Sequence, residues 1–482
     1  MRISHLFILL AASAMLTACD FLDEYNPNSV TVGNYYTSEE DIVASLNGVY
    51  TSLTQSYVAD NYHYFTDVRA NATVVTNSGA NSGIPYQFYN YTLTEENVYV
   101  YNRYSQLYKI ISRANTLFAH LGDVSYATPS ARDTYEAEAR FLRALSYYWL
   151  VTEWGDVPLV LKVLESTEEV RANNYRRPKA EIYQAIFDDL KYVTESPLLD
   201  VQPASACGKV SKAAAWALWG KALLQQACDE DFIGSKSELL GQAIGKLTAA
   251  WDLRKFGELS SVSYSSVWDL STQKSCAENL FQVNYIQGNA DLGSVWNYMY
   301  GPEGAGVTSQ RKGEMQNVTI QAVYDSFEPG DVRRSFLRAT NKAGQTYYHT
   351  MKYADLECGA NGYGGNNWIV LRYADVALML AEAYYWSKEE TLAKTWLNKV
   401  RERAGLGDWS GSDLRQGIYD ERLHEFMQEG LRWQDLLRME MLEHFSAINS
   451  NFSLKDLLLP IPYNERILNP EGLYQNPGYG SN

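Results

Sequence analysis

The sequence predicts a mainly α-helical protein whose helices stack in pairs, interrupted by two loop-rich stretches. Three observations predict this. Apolar residues recur at helical spacing in several separated blocks. Within those blocks small Ala or Gly alternates with large aromatics about one turn apart, the pattern by which helix-turn-helix repeats of the tetratricopeptide kind stack, although no copy carries a full consensus. Between 57 and 101, and again between about 257 and 365, the stripes give way to Tyr, Asn, Gly and Ser.

The chain opens with Met1-Arg2, is apolar over 6–18 apart from Ser13 and Thr17, and then reads Leu16-Thr17-Ala18-Cys19. A membrane span needs roughly 20 apolar residues, so this shorter run reads as a secretion signal. Its ending is similar to a bacterial lipobox, which makes 1–18 a lipoprotein signal peptide and Cys19 the lipidated first residue. An ordinary signal peptide followed by an incidental cysteine is the other reading. Acyl chains at Cys19 would hold the protein on a membrane, each buried methylene contributing about 0.8 kcal/mol. Residues 19–38, with Asn26-Pro27-Asn28 and several acids, read as an extended tether, and 39–482 as one folded unit. Cys207, Cys228, Cys276 and Cys358 show no CxxC and no Cys/His cluster of zinc spacing. They are expected as buried thiols with at most one bridge.

In chain order, 136–154 places Leu142, Leu145 and Trp149 on one stripe, with Ala137 and Ala144 admitting a neighbour. Residues 181–194 precede 210–227, where Trp216, Ala217, Gly220 and Leu223 repeat the pattern. A third block, 369–386, carries Ala374, Ala377, Ala381 and Tyr384 and precedes 392–404. These are helix pairs, and the stretch between about 257 and 365 reads as loop with short strands.

Composition removes several function classes. With 46% hydrophobic residues the chain is too apolar to be disordered. With 41 Lys+Arg against 57 Asp+Glu, a formal charge of −16, and no basic run, it lacks the electrostatic footprint of a nucleic-acid binder. There is no HExxH, GxSxG, Walker loop or GxGxxG opening a helix. Gly359, Gly362, Gly364 and Gly365 precede a helix, but no strand signal leads into them, so a phosphate role is not assigned. Glu421, Glu425 and Glu429 fall at i, i+4 spacing on one expected helix face. Glycosidase carboxylates flank the scissile bond from opposite sides of a cleft, which successive residues of one helix cannot do. The row therefore reads as salt bridging, with Arg422 and Arg432 nearby. No catalytic residue, metal site or cofactor is expected.

What remains is aromatic. The composition holds 37 Tyr, 12 Trp and 15 Phe. The first loop-rich stretch carries Tyr86, Phe88, Tyr89, Tyr91, Tyr99 and Tyr101, the second Trp296, Tyr298 and Tyr300. Tyr and Trp offer a flat apolar face with a polar edge, suited to the C–H face and hydroxyl rim of a sugar or to a peptide. If 296–300 is extended, its three rings point the same way. Alternatively the rings plug the loops against the helices.

Several segments in order along the chain resemble the SusD/RagB proteins of the Bacteroidota. They are the lipobox with Cys19-Asp20-Phe21-Leu22-Asp23, Trp154-Gly155-Asp156-Val157-Pro158-Leu159, Val210-Ser211-Lys212-Ala213, and Leu371-Arg372-Tyr373-Ala374-Asp375. Further on come Leu397-Asn398-Lys399-Val400-Arg401, Ile418-Tyr419-Asp420-Glu421-Arg422, Glu429-Gly430-Leu431-Arg432-Trp433, Pro460-Ile461-Pro462 and Asn476-Pro477-Gly478-Tyr479. The resemblance implies a SusD-like fold of four tetratricopeptide-like helix pairs with a loop-rich ligand-binding face. It divides 39–482 into an N-terminal SusD-like part of about 39–228 and a C-terminal SusD/RagB part of about 270–482. It also implies a non-catalytic, lipid-anchored protein at the outer-membrane surface that captures oligosaccharide for a SusC-like TonB-dependent transporter. A peptide-capturing RagB-like lid and a mainly structural lid are the alternatives. His424 and Gln428 depart from the residues more usual in their block. By position, the glycan-binding residues implied are Tyr99, Tyr101 and Asn102, ahead of a helix over 104–121, and Trp296, Tyr298 and Tyr300 in the middle, with Arg69 as a hydroxyl donor.

Overall fold

The computed structural model describes residues 35–76, 83–229, 234–441 and 449–480. Cys19, the signal peptide and the tether up to residue 34 lie outside them. Among the described residues, ten of the helices carry the stack: α1 (Glu39–Thr51), α2 (Val98–His120), α3 (Ala131–Trp154), α4 (Lys179–Glu195), α5 (Lys212–Ala227), α6 (Lys236–Asp252), α7 (Tyr373–Trp386), α8 (Glu390–Arg403), α9 (Leu414–Glu425) and α10 (Arg432–Arg438). Each packs on the next in chain order, so the stack is built largely from neighbours in sequence. Side-chain caps start several of them. Ser38 and Asp41 form a capping box on α1, and Ser211, Ser235 and Asp413 cap α5, α6 and α9.

The small-against-large alternation has a direct geometric meaning at Gly220. A Cβ there would lie 2.5 Å from Leu247 Cγ, so only glycine lets α5 and α6 approach as they do. The sequence reading missed α6, whose Gly241, Gly245 and Thr248 weaken its helical signal. The main hydrophobic core draws on residues from Ile42 to Tyr479, and a small second cluster of Phe327, Leu337, Tyr348 and Met427 lies apart from it.

Two small sheets lie between α6 and α7. β1 (Asn279–Val283) pairs antiparallel with β5 (Trp368–Arg372), and β2 (Thr319–Ile320), β4 (Gln345–Thr350) and β3 (Leu337–Lys342) form a three-stranded sheet in that order. The helix expected from 369 therefore begins at Tyr373, since the run 368–372 is a strand. The β3–β4 hairpin turns on Ala343 and Gly344, both at positive φ (53° and 81°), the requirement of a two-residue primed turn. The two loop-rich stretches are joined backbone to backbone. Val74 and Val318 exchange hydrogen bonds of 2.9 and 3.1 Å, and Thr76 N donates to Met315 O at 3.0 Å.

The acidic row is buried and paired, with partners other than those expected. α9 ends at Glu425, and Gln428 at φ 62° and Gly430 at φ 81° turn the chain, so Glu429 lies beyond the helix. Glu425 contacts Arg333 at 3.0 Å, Arg372 at 2.5 Å and Arg403, while Glu421 meets Arg333 at 2.6 Å. Glu429 takes Arg372 at 2.8 Å and Lys352 at 2.6 Å. Arg422 belongs to a second cluster with Asp375, Glu382 and Asp435. The unusual His424 and Gln428 bond Ser326 and the Asn317 carbonyl, so both serve local packing. None of the four described cysteines is bridged: Cys228 and Cys358 are buried, Cys207 and Cys276 half-buried.

Candidate binding surface

α2 begins earlier than its apolar stripe suggests because Asn97 caps it. The Asn97 Oδ1 accepts from Tyr99 N at 3.0 Å and Val100 N at 3.1 Å, and its Nδ2 donates to Gln87 Oε1 at 2.8 Å. Tyr99, Tyr101 and Asn102 thus sit in the first turns of α2, half-buried, rather than on a loop ahead of it. The ring of Tyr99 meets Tyr57 edge-on at 5.0 Å and Tyr64 at 5.5 Å. Tyr101 and Asn102 have no side-chain hydrogen bond or ring contact to this cluster among the described residues.

From Tyr99 a chain of contacts runs into the second loop-rich stretch. The Tyr64 hydroxyl donates to Gln316 Oε1 at 2.6 Å, and Gln316 Nε2 donates to Glu314. Glu314 Oε1 accepts from Arg311 Nη2 at 3.0 Å, and the Arg311 guanidinium lies 3.7 Å over the Tyr298 ring. Arg311 and Glu314 keep 38% and 30% of their side chains exposed, which leaves this charged pair at the rim for hydrogen bonding. Burial raises the Tyr64 and Tyr99 hydroxyls above their ordinary range and pushes Tyr298 up to about 12. All three are neutral hydroxyls near pH 7, so each can donate as well as accept a hydrogen bond.

Gly362 shapes the far end. It adopts φ 81°, and a Cβ there would stand 2.6 Å from Arg311 Cβ and 2.9 Å from Tyr298 Cδ1. This member of the glycine cluster makes room for the Arg311–Tyr298 stack.

The structure corrects four of the proposed ligand contacts. Residues Trp296–Met299 form a short helix, so their side chains fan out instead of alternating on one face. Trp296 is 3% exposed and packs against Tyr285 at 5.2 Å and Tyr353 at 5.5 Å. Tyr300 is buried between Tyr353 and His63, and Tyr298 is roofed by Arg311. Arg69 is buried on the Trp433 ring at 3.9 Å and donates to the Asp456 carbonyl, so it offers nothing to a surface ligand. Phe88 and Tyr91 are core residues, whereas Tyr86 and Tyr89 stay half-buried. Tyr57, Arg311, Glu314 and Gln316 were missed. Tyr57 was legible as the first aromatic of its stretch, but nothing local in sequence marks the other three.

Among the described residues no group of three or more His, Cys, Asp or Glu side chains is placed to hold a metal ion, and no helix is long and apolar enough to cross a membrane.

The architecture is a helical scaffold carrying a loop-built surface, and comparison with known proteins agrees with it. The family model described as "SusD family" matches residues 293–479, and a SusD-like model described as "Starch-binding associating with outer membrane" matches 20–224. SusD-like protein P2 of Formosa agariphila is 28% identical over 521 residues, covering 99% of each chain. Surface glycan-binding protein A from Bacteroides thetaiotaomicron, solved in complex with laminarihexaose, superposes with a TM-score of 0.76 at 20% identity, over 91% of this chain and 99% of that one. A laminarin binding SusD-like protein gives 0.75 at 25% identity, over 92% and 100%. The chain is thus similar to SusD-like proteins along most of its length, through two different models that match its two parts and a relative matched end to end.

Proposed function

We propose that this protein is a cell-surface lipoprotein, anchored through Cys19, that captures oligosaccharide and delivers it to a SusC-like TonB-dependent outer-membrane transporter. The observation that carries the proposal is the continuous surface from Tyr57 and Tyr99 through Gln316 and Glu314 to Arg311, where both loop-rich stretches meet. Half-exposed tyrosine rings supply faces for the C–H side of a sugar. The Arg311–Glu314 pair and the Gln316 amide supply a fixed donor and acceptor rim for its hydroxyls. The starch-binding description of the matching family and the glycans named for two structural neighbours support the ligand class. Capture in this reading is non-catalytic, and transport by the partner follows it. A glycan array probed with the full-length protein in detergent, run beside a peptide array, tests the reading. Saturable signal on neutral oligosaccharides is expected; signal confined to peptides would replace it with a peptide-capturing lid.

A further inference from the structure

A second concavity, of about 1020 Å³, is lined by none of the residues that make the surface just described. Its volume is at the upper end of the roughly 300–1,000 Å³ usual for small-molecule sites, room for several sugar rings. One wall is the Tyr86 and Tyr89 pair, whose rings lie 5.7 Å apart and only 29° from parallel, both half-buried at the edge of the cleft. β4 also contributes to the lining through Tyr347, which is half-buried too. Three half-buried tyrosines therefore line the cleft.

The floor is made by α9 and α10. Arg432 is 5% exposed, has its guanidinium carbon 3.4 Å from the centre of the Tyr419 ring, and donates through Nη1 to the Tyr419 carbonyl at 2.8 Å. Unlike Arg333, Arg372 and Arg422, it forms no ion pair among the described residues. Asp420, which also lines the cleft, accepts from Gln416 Nε2 at 2.8 Å. Lys342 at the cleft wall is already neutralised by Glu303 at 2.6 Å. His424 is held to Ser326 at 2.8 Å, and burial together with nearby arginines lowers its pKa to about 3, so it is uncharged.

Charge across the cleft is thus balanced: one guanidinium, one carboxylate, one satisfied lysine and a neutral imidazole. An anion would meet Asp420 and a cation Arg432, whereas a ligand rich in hydroxyls finds both a donor and an acceptor between stacking rings. We propose that this cleft is a second oligosaccharide-binding site, selective for an uncharged glycan segment, with Tyr86 and Tyr89 as its stacking platform and Arg432 and Asp420 as its hydroxyl partners. The inference rests on the oligosaccharide reading and extends it to a second, independent place on the molecule.

Titration calorimetry of the full-length protein in detergent tests it, with laminarihexaose and maltohexaose as neutral probes and hexagalacturonate as the charged one. A two-site isotherm with a neutral probe is expected. The Tyr86→Ala/Tyr89→Ala double variant should weaken one site about tenfold, equivalent to about 1.4 kcal/mol, and leave the other intact. Tyr86→Phe/Tyr89→Phe should retain both. An unchanged melting temperature shows that the double variant still folds. A single site indifferent to the double variant would overturn the second site and leave the first reading standing. Silence with both neutral probes would remove both. Preference for hexagalacturonate, lost in the double variant, would overturn the assignment to an uncharged glycan.

Discussion

Glu425→Gln is the perturbation whose cost can be worked out most directly. Glu425 is fully buried, and its two oxygens face Arg333, Arg372 and Arg403. Burial alone would push its carboxyl up, but the arginines outweigh that and hold it well below the usual carboxylate range. Glutamine keeps the shape and removes the one charge that all three guanidinium groups share, leaving Arg372 and Arg403 with Glu278 between them and Arg333 with Asp331 and Glu421. Breaking a buried pair on one side costs about 3–5 kcal/mol. With an unfolding entropy of about 2.1 cal/mol/K per residue, a chain of 482 residues loses about 1 kcal/mol per degree near its midpoint. The substitution should therefore lower Tm by about 3–5 °C at pH 7. Because the folded-state pKa is depressed, the stabilisation from Glu425 is complete above its unfolded value of about 4.3 and is lost as pH falls through the folded one. The gap between wild type and variant should accordingly narrow in acid. Calorimetric melts at pH 7 and pH 3.5 check this. A Tm within about 1 °C of wild type at pH 7, or a gap that widens in acid, would refute the reasoning.

Three further outcomes follow from named contacts. Trp296→Ala should destabilise the fold by about 3–5 kcal/mol, because the ring is a core residue; a melt of the purified variant checks it, and an unchanged Tm would return Trp296 to the surface. Gly362→Val should cost about 1–3 kcal/mol for the positive φ alone, and it should weaken oligosaccharide binding by displacing Arg311 and Tyr298; calorimetry with and without ligand separates the two effects. Cys19→Ser should move the protein from the membrane fraction to the soluble fraction of cells, read by immunoblot after fractionation.

The helical stack was legible because packing left a mark in sequence: Gly220 against Leu247 is the small-against-large pattern made literal. The run 368–372 was misread because a short apolar segment looks the same in a buried strand and a buried helix, and its partner β1 is far away in the chain. The end of α9 was legible in principle, since Gly430 is a stop signal, but the i, i+4 spacing of the glutamates concealed it. The binding surface was only partly legible. Tyr99 carries a local signal, its Asn97 cap, whereas Arg311, Glu314 and Gln316 are placed by Gly362, Tyr298 and Tyr64, contacts that no spacing announces. Alternation at 296, 298 and 300 misled because it presumes a strand, and the chain coils there instead.

The central claim is that the Tyr57–Tyr99–Arg311 surface holds oligosaccharide. It is tested most directly by titrating laminarihexaose into full-length wild type and Tyr99→Ala in detergent, with melts of both as a folding control. Saturable binding by wild type, weakened about tenfold in Tyr99→Ala, or about 1.4 kcal/mol, at an unchanged Tm is the predicted result. Equal affinity of the two proteins, or no binding by wild type, would contradict the account.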